Sequence, residues 1–338
     1  MLTSYYSGIL FIICLFTVSC KDDNDAPPVP VPELRNKIVF ASDRDGSVML
    51  YSMNLNGSDP DDLTEGSNGS ISPDGRALAY VKENNIYTAK ADGSDVLQLT
   101  ITGTDKQPRW SPDGSRTAFY SFRQGGKAQL HTMKKDGSDV MQMTDISGRG
   151  FIDAVWSPDG SRVVCIGSVD ISNTDVYLAD GNQTLNLTND SFEDMHAGWS
   201  PDGSKILFVS NRGGEYNIYS MNANGTAVIR LTSHVGVHLN PRWSPDGSEI
   251  LFLGDYSIYK MNVDGTGLMQ LTFQTEAHFD ESPQWSSDSK KIIFTRNTKI
   301  GAAYQSDIFS VNRDGSGLVN LTANPADDFQ PIWGPAGN

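Results

Sequence analysis

Apolar residues along this chain come in short runs separated by polar clusters rich in Gly, Asp, Asn and Ser. From about residue 36 onward one order recurs. A β-rich apolar run occupies residues 77–80, 117–120, 163–166, 206–209, 250–253 and 292–295. An apolar pair follows, as in Leu50-Tyr51, Ile86-Tyr87, Leu130-His131, Val176-Tyr177, Ile218-Tyr219, Ile258-Tyr259 and Ile308-Phe309. Then comes an Asn-Gly or Asp-Gly turn: Asn56-Gly57, Asp92-Gly93, Asp136-Gly137, Asp180-Gly181, Asn224-Gly225, Asp264-Gly265 and Asp314-Gly315. Such dipeptides between apolar runs predict hairpins, because both residues tolerate positive φ. A Leu-Thr or Met-Thr pair closes the unit.

Each unit opens on Trp-Ser-Pro-Asp-Gly or a variant, beginning with Ile71-Ser72-Pro73-Asp74-Gly75 and recurring at Trp110, Trp156, Trp199, Trp243, Trp285 and Trp333. A period of 39 to 48 residues signals a propeller or a solenoid. Four short antiparallel strands per unit make one propeller blade. Seven apolar pairs and seven turns make seven blades. The first unit starts at Lys37-Ile38-Val39-Phe40 with no Trp-Ser-Pro strand before it, and Pro331-Ile332-Trp333-Gly334 stands at the other end of the chain. The predicted fold is therefore all-β: a seven-bladed propeller of four-stranded blades, closed when the C-terminal strand joins the N-terminal blade as its innermost strand. Closure of this kind leaves no open sheet face.

Ahead of the repeat, residues 8–18 form an uncharged, mostly apolar stretch. It is too short to span a bilayer of about 30 Å as a helix, but it fits a signal-peptide core. Thr17-Val18-Ser19-Cys20 resembles a bacterial lipobox, in which cleavage precedes a cysteine that carries diacylglycerol. Lys21-Asp22-Asp23-Asn24-Asp25 resembles a short tag that sends some Gram-negative lipoproteins to the outer leaflet of the outer membrane. The proline-rich stretch 27–32 favours polyproline II, a semi-rigid spacer. The expected organisation is a signal peptide at 1–19, a lipidated Cys20 with an acidic, Pro-rich tether at 20–35, and the propeller at 36–338. Lipid on Cys20 would anchor the protein in the outer membrane, surface-exposed or facing the periplasm.

Composition narrows the partners. A net charge of −15 with no run of Lys or Arg argues against nucleic acid. Of the three cysteines, Cys14 and Cys20 belong to the N-terminal stretch, and Cys165 lies in an apolar run. No pair remains for an intrachain disulfide in the propeller, so packing and ring closure must stabilise it. A monomer without cofactor is expected.

With its Trp-Ser-Pro-Asp-Gly-Ser opening and trailing Leu-Thr, the unit resembles the WD40-like repeat of the TolB propeller family. The same repeat is found in N-terminal propellers of prolyl-peptidase-like enzymes and in oligogalacturonate lyases. TolB proper carries an α/β domain before a six-bladed propeller, so its Tol-Pal partnership does not carry over to a seven-bladed chain. The peptidase propellers gate a hydrolase domain, and no Gly-x-Ser-x-Gly elbow occurs here. Resemblance to the lyases implies a channel metal held by a histidine cluster and a glutamine. The five histidines are His131, His196, His234, His238 and His278. His131 sits in the aromatic slot and is expected to pack, while His196 and His238 precede innermost strands of consecutive blades. No metal-ligand set is assigned, because a catalytic metal needs about three protein ligands.

The six tryptophans share one repeat slot and are expected to pack between blades, leaving any sugar stacking to loop tyrosines such as Tyr216, Tyr256 or Tyr304. The aspartates of the Pro-Asp-Gly turns are structural for the same reason. Subtracting the repeat leaves two variable positions. Three before the tryptophan slot stand Asn68, Gln107, Asp153, His196, Asn240, Ser282 and Gln330. Five before it stand Asp105, Asp194, His238, Asp280 and Asp328. Lining the channel, these would form a polar, acid-leaning ring at one mouth, with Arg109 and Arg242 as isolated positives. The candidate ligand-binding residues are Gln107, Asp153, His196, His238, Asn240, Gln330, Arg109 and Arg242, with no catalytic residue assigned. The function expected is a tethered, non-enzymatic propeller that binds a protein, peptide or glycan at one face. The alternative is a channel-centred, metal-dependent lyase.

Overall fold

A computed structural model describes residues 31–170, 173–233 and 236–337. Cys20, the apolar stretch before it and His234 lie outside the described residues. From Pro32 onward the chain is one compact unit. It contains seven four-stranded antiparallel sheets. In blades 2 to 7 the strands run from the channel outward in chain order, with innermost strands Ser67–Ile71, Asp105–Trp110, Gly150–Trp156, Asp194–Trp199, His238–Trp243 and His278–Trp285. Blade 1 takes its innermost strand, Asp328–Trp333, from the far end of the chain, and Lys37–Ser42 pairs with it. The predicted closure is what the structure shows. Packing begins slightly earlier than residue 36: Leu34 is buried, and its amide donates to the Gly75 carbonyl.

The second strand of each blade is buried on both faces, as in Lys205–Ser210 and Glu249–Gly254. This explains why it appears as a continuous apolar run rather than an alternating one. The core is accordingly a ring of seven clusters, one at each junction between neighbouring blades. Fully burying one such Phe or Ile side chain contributes roughly 1.5–3 kcal/mol. Tryptophans stitch the junctions. The indole Nε1 of Trp110, Trp156, Trp199 and Trp333 donates to the carbonyls of Ser70, Arg109, Val155 and Gln284 on the preceding innermost strand, at 3.0–3.2 Å.

The closing Leu-Thr pairs also have a definite role. The hydroxyls of Thr100, Thr144, Thr188, Thr232, Thr272 and Thr322 accept from the amides of Ile86, Leu130, Val176, Ile218, Ile258 and Ile308 at 2.9–3.0 Å, fixing where each outer strand leaves its neighbour. The Pro-Asp-Gly aspartates are structural, as expected: each accepts from the serine two residues before it at 2.6–2.7 Å. Those bonds hold Asp113, Asp159 and Asp202 down at about 2. The Asn-Gly and Asp-Gly turns differ from expectation. Only their glycines have positive φ, between 79° and 86°. The acid or amide at the first position instead accepts the amide two residues on, as Asp92 does from Ser94. They are Asx turns followed by a left-handed glycine rather than paired left-handed residues.

Four aspartates placed in the channel ring by their spacing are buried inside the blades instead. Asp105, Asp194, Asp280 and Asp328 are fully buried and pair with Arg123, Arg212, Arg296 and Arg44. Each of these arginines lies over the aromatic rings of its own blade. Arg296, for example, stands 5.5 Å from the Phe294 centroid and 4.9 Å from that of Phe309. Removing one partner of a buried pair leaves a charge without compensation. Asp280→Ala is therefore expected to lower the unfolding free energy by about 3–5 kcal/mol in urea titration. Asp264→Ala, on an exposed turn, should cost less than about 1 kcal/mol. A similar small cost at both positions would show that the buried pairs do not brace the blades.

Candidate functional site

The innermost strands converge on a central channel, and each carries the same irregularity. Between the first and second strands of every blade the register shifts by a bulge, as between Lys106 and Arg109 or Leu239 and Arg242. A bulge leaves one residue unpaired and re-aims it. Here that residue stands three before the tryptophan slot in all seven blades: Asn68, Gln107, Asp153, His196, Asn240, Ser282 and Gln330, with φ between 48° and 55°. This left-handed backbone disfavours residues bearing a Cβ by about 1–2 kcal/mol, and glycine adopts it freely. The repeat does use glycine in its Asn-Gly and Asp-Gly turns, yet never at this position. Seven side chains are thus retained where glycine would be the easier choice.

These side chains line two adjoining channel cavities. The larger, about 500 Å³, is lined by Gln107, Arg109, Asp153, His196, Asn240 and Arg242, among others. The smaller, about 180 Å³, is lined by Asn68, Ser282, Gln284 and Gln330 and shares Arg109, Asn240 and Arg242 with the first. Seven of the eight predicted binding residues therefore meet in one channel. His238 does not. It is buried in blade 6, in the slot that holds the Arg-paired aspartate elsewhere, with its ring edge-on to Phe252 at 5.6 Å. Two other described histidines also point elsewhere. His131 stacks on Phe119, and His278 is bonded to the Phe273 carbonyl and the Thr275 hydroxyl. Of the described histidines, only His196 lines the channel cavities.

The channel's electrostatics centre on two arginines. Arg109 and Arg242 are reached by channel water but are walled in by protein, so desolvation pulls both pKa values down. Each guanidinium also feels Asp153, which opposes that shift, and Arg242 further lowers Arg109. Burial likewise lowers His196, with Asp153 raising it and Arg242 lowering it. His196 Nδ1 is buried and has no hydrogen-bond partner among the described residues. Below Asp153, burial and that carboxylate push the Cys165 thiol up to about 12, which leaves it inert.

Sequence spacing missed the arginines that occupy the buried aspartates. A signal was present in Ser42-Asp43-Arg44, Ser121-Phe122-Arg123 and Ser210-Asn211-Arg212, a Ser-x-Arg at the end of three second strands. Of the loop tyrosines, Tyr216 is bonded to Glu193. Tyr256 and Tyr304 both pack edge-to-face on Phe279, at 5.6 and 5.1 Å, and stay about half exposed.

Comparison with known proteins places this geometry among relatives. The sequence pattern of the TolB β-propeller domain matches residues 20–151 and 151–337. An uncharacterized peptidase, YuxL, of Bacillus subtilis (strain 168) is 35% identical over 103 residues, 27% of this chain and 16% of its own length. The chain thus spans about a sixth of that relative. TolB from Acinetobacter baumannii superposes with a TM-score of 0.58 at 20% identity, over 89% of this chain and 67% of that one. Oligogalacturonate lyase from Vibrio parahaemolyticus gives 0.64 at 18%, over 80% and 85%, and an oligogalacturonate lyase in complex with manganese gives 0.65. A puromycin hydrolase gives 0.68 at 14%, over 88% of this chain and 54% of its own. At these identities the structures share the fold.

The electrostatic reading of the channel can be checked by NMR titration of His196. Its pKa is expected below the ordinary histidine value of about 6.5. Asp153→Asn should lower it further, and Arg242→Gln should raise it. Shifts of the opposite sign would separate His196 from these two charges.

Proposed function

Since this chain belongs to the TolB β-propeller domain family, whose pattern covers residues 20–151 and 151–337, we propose that it is a membrane-tethered, non-enzymatic propeller that binds its ligand through the central channel and the adjoining face. The observation that carries this reading is the ring of seven left-handed residues. Their backbone favours glycine, their side chains differ from blade to blade, and all of them face the channel cavities. Strain retained in this way is a mark of function, and a polar concave opening suits recognition. The tether rests on Cys20 and the residues around it. Diacylglycerol there would place the propeller in the outer membrane of a Gram-negative cell, working as a monomer on a protein, peptide or glycan.

The rival reading, a metal-dependent lyase, has the manganese-bound lyase as its structural neighbour. The residues do not fit that metal. Of the histidine cluster such a metal would need, only His196 lines this cavity among the described residues, with Asp153 and Gln107 as further donors and Arg109 and Arg242 beside them. Two guanidinium charges repel a divalent cation. Among the described residues no three His, Cys, Asp or Glu side chains gather as a metal would require.

Two experiments bear on this reading. Purified protein incubated with oligogalacturonate and added Mn²⁺ should release no unsaturated product, and metal-dependent cleavage abolished by His196→Ala would overturn the non-enzymatic assignment. In a Gram-negative host, Cys20→Ala should move the protein from the membrane to the soluble fraction. Unchanged fractionation would remove the lipid tether.

A further inference from the structure

Nine of the thirteen arginines in this chain make ion pairs: Arg35, Arg44, Arg76, Arg116, Arg123, Arg149, Arg212, Arg296 and Arg313. Two of the others are engaged differently. Arg162 lies over the Trp199 ring, and Arg230 donates to the Thr232 carbonyl. That leaves Arg109 and Arg242, the two that share the channel. Among the described residues neither has an ion pair, and the one hydrogen bond recorded for them runs from Arg109 Nη1 to the Pro108 carbonyl at 3.1 Å. An acidic protein thus holds two like charges together in one water-accessible channel. Like charges that share one opening repel each other, and an anion between them would relieve that repulsion.

Charge counting indicates what that anion is. Arg109 and Arg242 contribute two positive charges and Asp153 one negative, while burial works against a charge on His196. The excess is one positive charge, which a single carboxylate cancels. A phosphate monoester, carrying about −1.5 to −2, would overshoot. A guanidinium also presents its donors in a planar fork that matches a carboxylate. Around the arginines stand Asn68, Gln107, Asn240 and Gln330. Amide side chains both donate and accept, as neighbouring hydroxyl groups do. On the strand of Ser282, three residues nearer its start, Phe279 carries the half-exposed rings of Tyr256 and Tyr304. These rings stand outside the linings of the two cavities, so they would meet only the part of a longer ligand that extends beyond them.

We propose that the channel is a binding site for a polyhydroxylated carboxylate, a sugar acid whose carboxylate sits between Arg109 and Arg242 while the amide ring holds its hydroxyls. This deepens the channel-binding reading and rests on it. Asp153 sets the charge of the site, so that one carboxylate rather than two is taken.

The test uses the full chain and three probes: trigalacturonate, its neutral methyl ester and triglutamate, followed by thermal shift and calorimetry. Trigalacturonate should raise Tm and the other two should not. Arg109→Gln and Arg242→Gln should each weaken it by about tenfold or more, the loss of one charge-assisted contact. Asp153→Asn should tighten it several-fold. Without ligand, both arginine variants should melt at or above the wild-type temperature, because a like-charge contact has been removed. A lower Tm would mean that the arginines brace the fold and would count against the site. Equal binding of the methyl ester would overturn the carboxylate, and equal or tighter binding of triglutamate would overturn the sugar. Binding of none of the three overturns the proposal while leaving the channel-binding reading in place. Cleavage of the probe, seen in its recovered mass, would instead overturn the non-enzymatic reading.

Discussion

Everything in this structure depends on burial between blades. No blade here has a core of its own; each has two apolar faces, and each face is covered only by a neighbour. A row of such sheets would always end with two uncovered faces. Pairing Lys37–Ser42 with Asp328–Trp333 joins the two ends of the ring, and the last junction packs Ile38, Phe40, Tyr51 and Met53 against Ile293, Ile308 and Leu321. The seam is secured by more than strand pairing. Arg44 reaches Asp328 across it, the Gly334 amide donates to the Lys37 carbonyl, and the Gly337 amide donates to Asn36. The one tryptophan the repeat lacks also falls beside this blade. Ile71 stands where an indole would otherwise bond the innermost strand of blade 1, so the junction between blades 1 and 2 relies on Leu34, Leu78 and Tyr80.

Because closure fixes the blades, the innermost strands are free to be irregular. A left-handed residue within a strand weakens that strand alone, but here six of the seven bulges are framed by a buried alanine or proline on one side and a buried second strand on the other. Pro108, Ala154, Ala197, Pro241, Pro283 and Pro331 follow the bulged residue directly, and all are buried. The surrounding packing therefore over-determines the conformation, which is the condition under which local strain persists. The same geometry makes the ring tolerant of change. Altering a channel side chain alters the lining while the tryptophan stitches and threonine caps stay in place.

The fold was legible in the sequence because its determinants are local and repeated. Short apolar runs, glycine turns and a tryptophan slot recur in register, and counting them yields both the blade number and the closing strand. The site was legible in part. Its seven ring residues emerged once the repeat was subtracted, because they occupy positions that the repeat does not prescribe. The aspartates five before the slot misled for a physical reason. Spacing along a strand says which residues share a face only while the strand is regular, and the bulge intervenes between the two positions. It turns one toward the channel and leaves the other inside the blade with an arginine. His238 was misplaced by the same slip, since it takes the position of a blade-internal aspartate.

The distribution of charge separates structure from recognition. Much of the acidity that gives a net charge of −15 is held in turns by serine hydroxyls and amides, or inside blades by arginine. These carboxylates are spent locally, and salt screens their long-range field within about 8 Å at physiological strength. The channel sees a different balance, with two guanidinium groups, one carboxylate and a shell of amides. A low-dielectric wall concentrates that small excess, so the local field inside can oppose the sign of the whole molecule. An acidic surface discourages non-specific anions at a distance, and a positive channel would retain one that fits. In a propeller whose repeat positions are committed to holding it together, that contrast marks the part of the chain left over for binding.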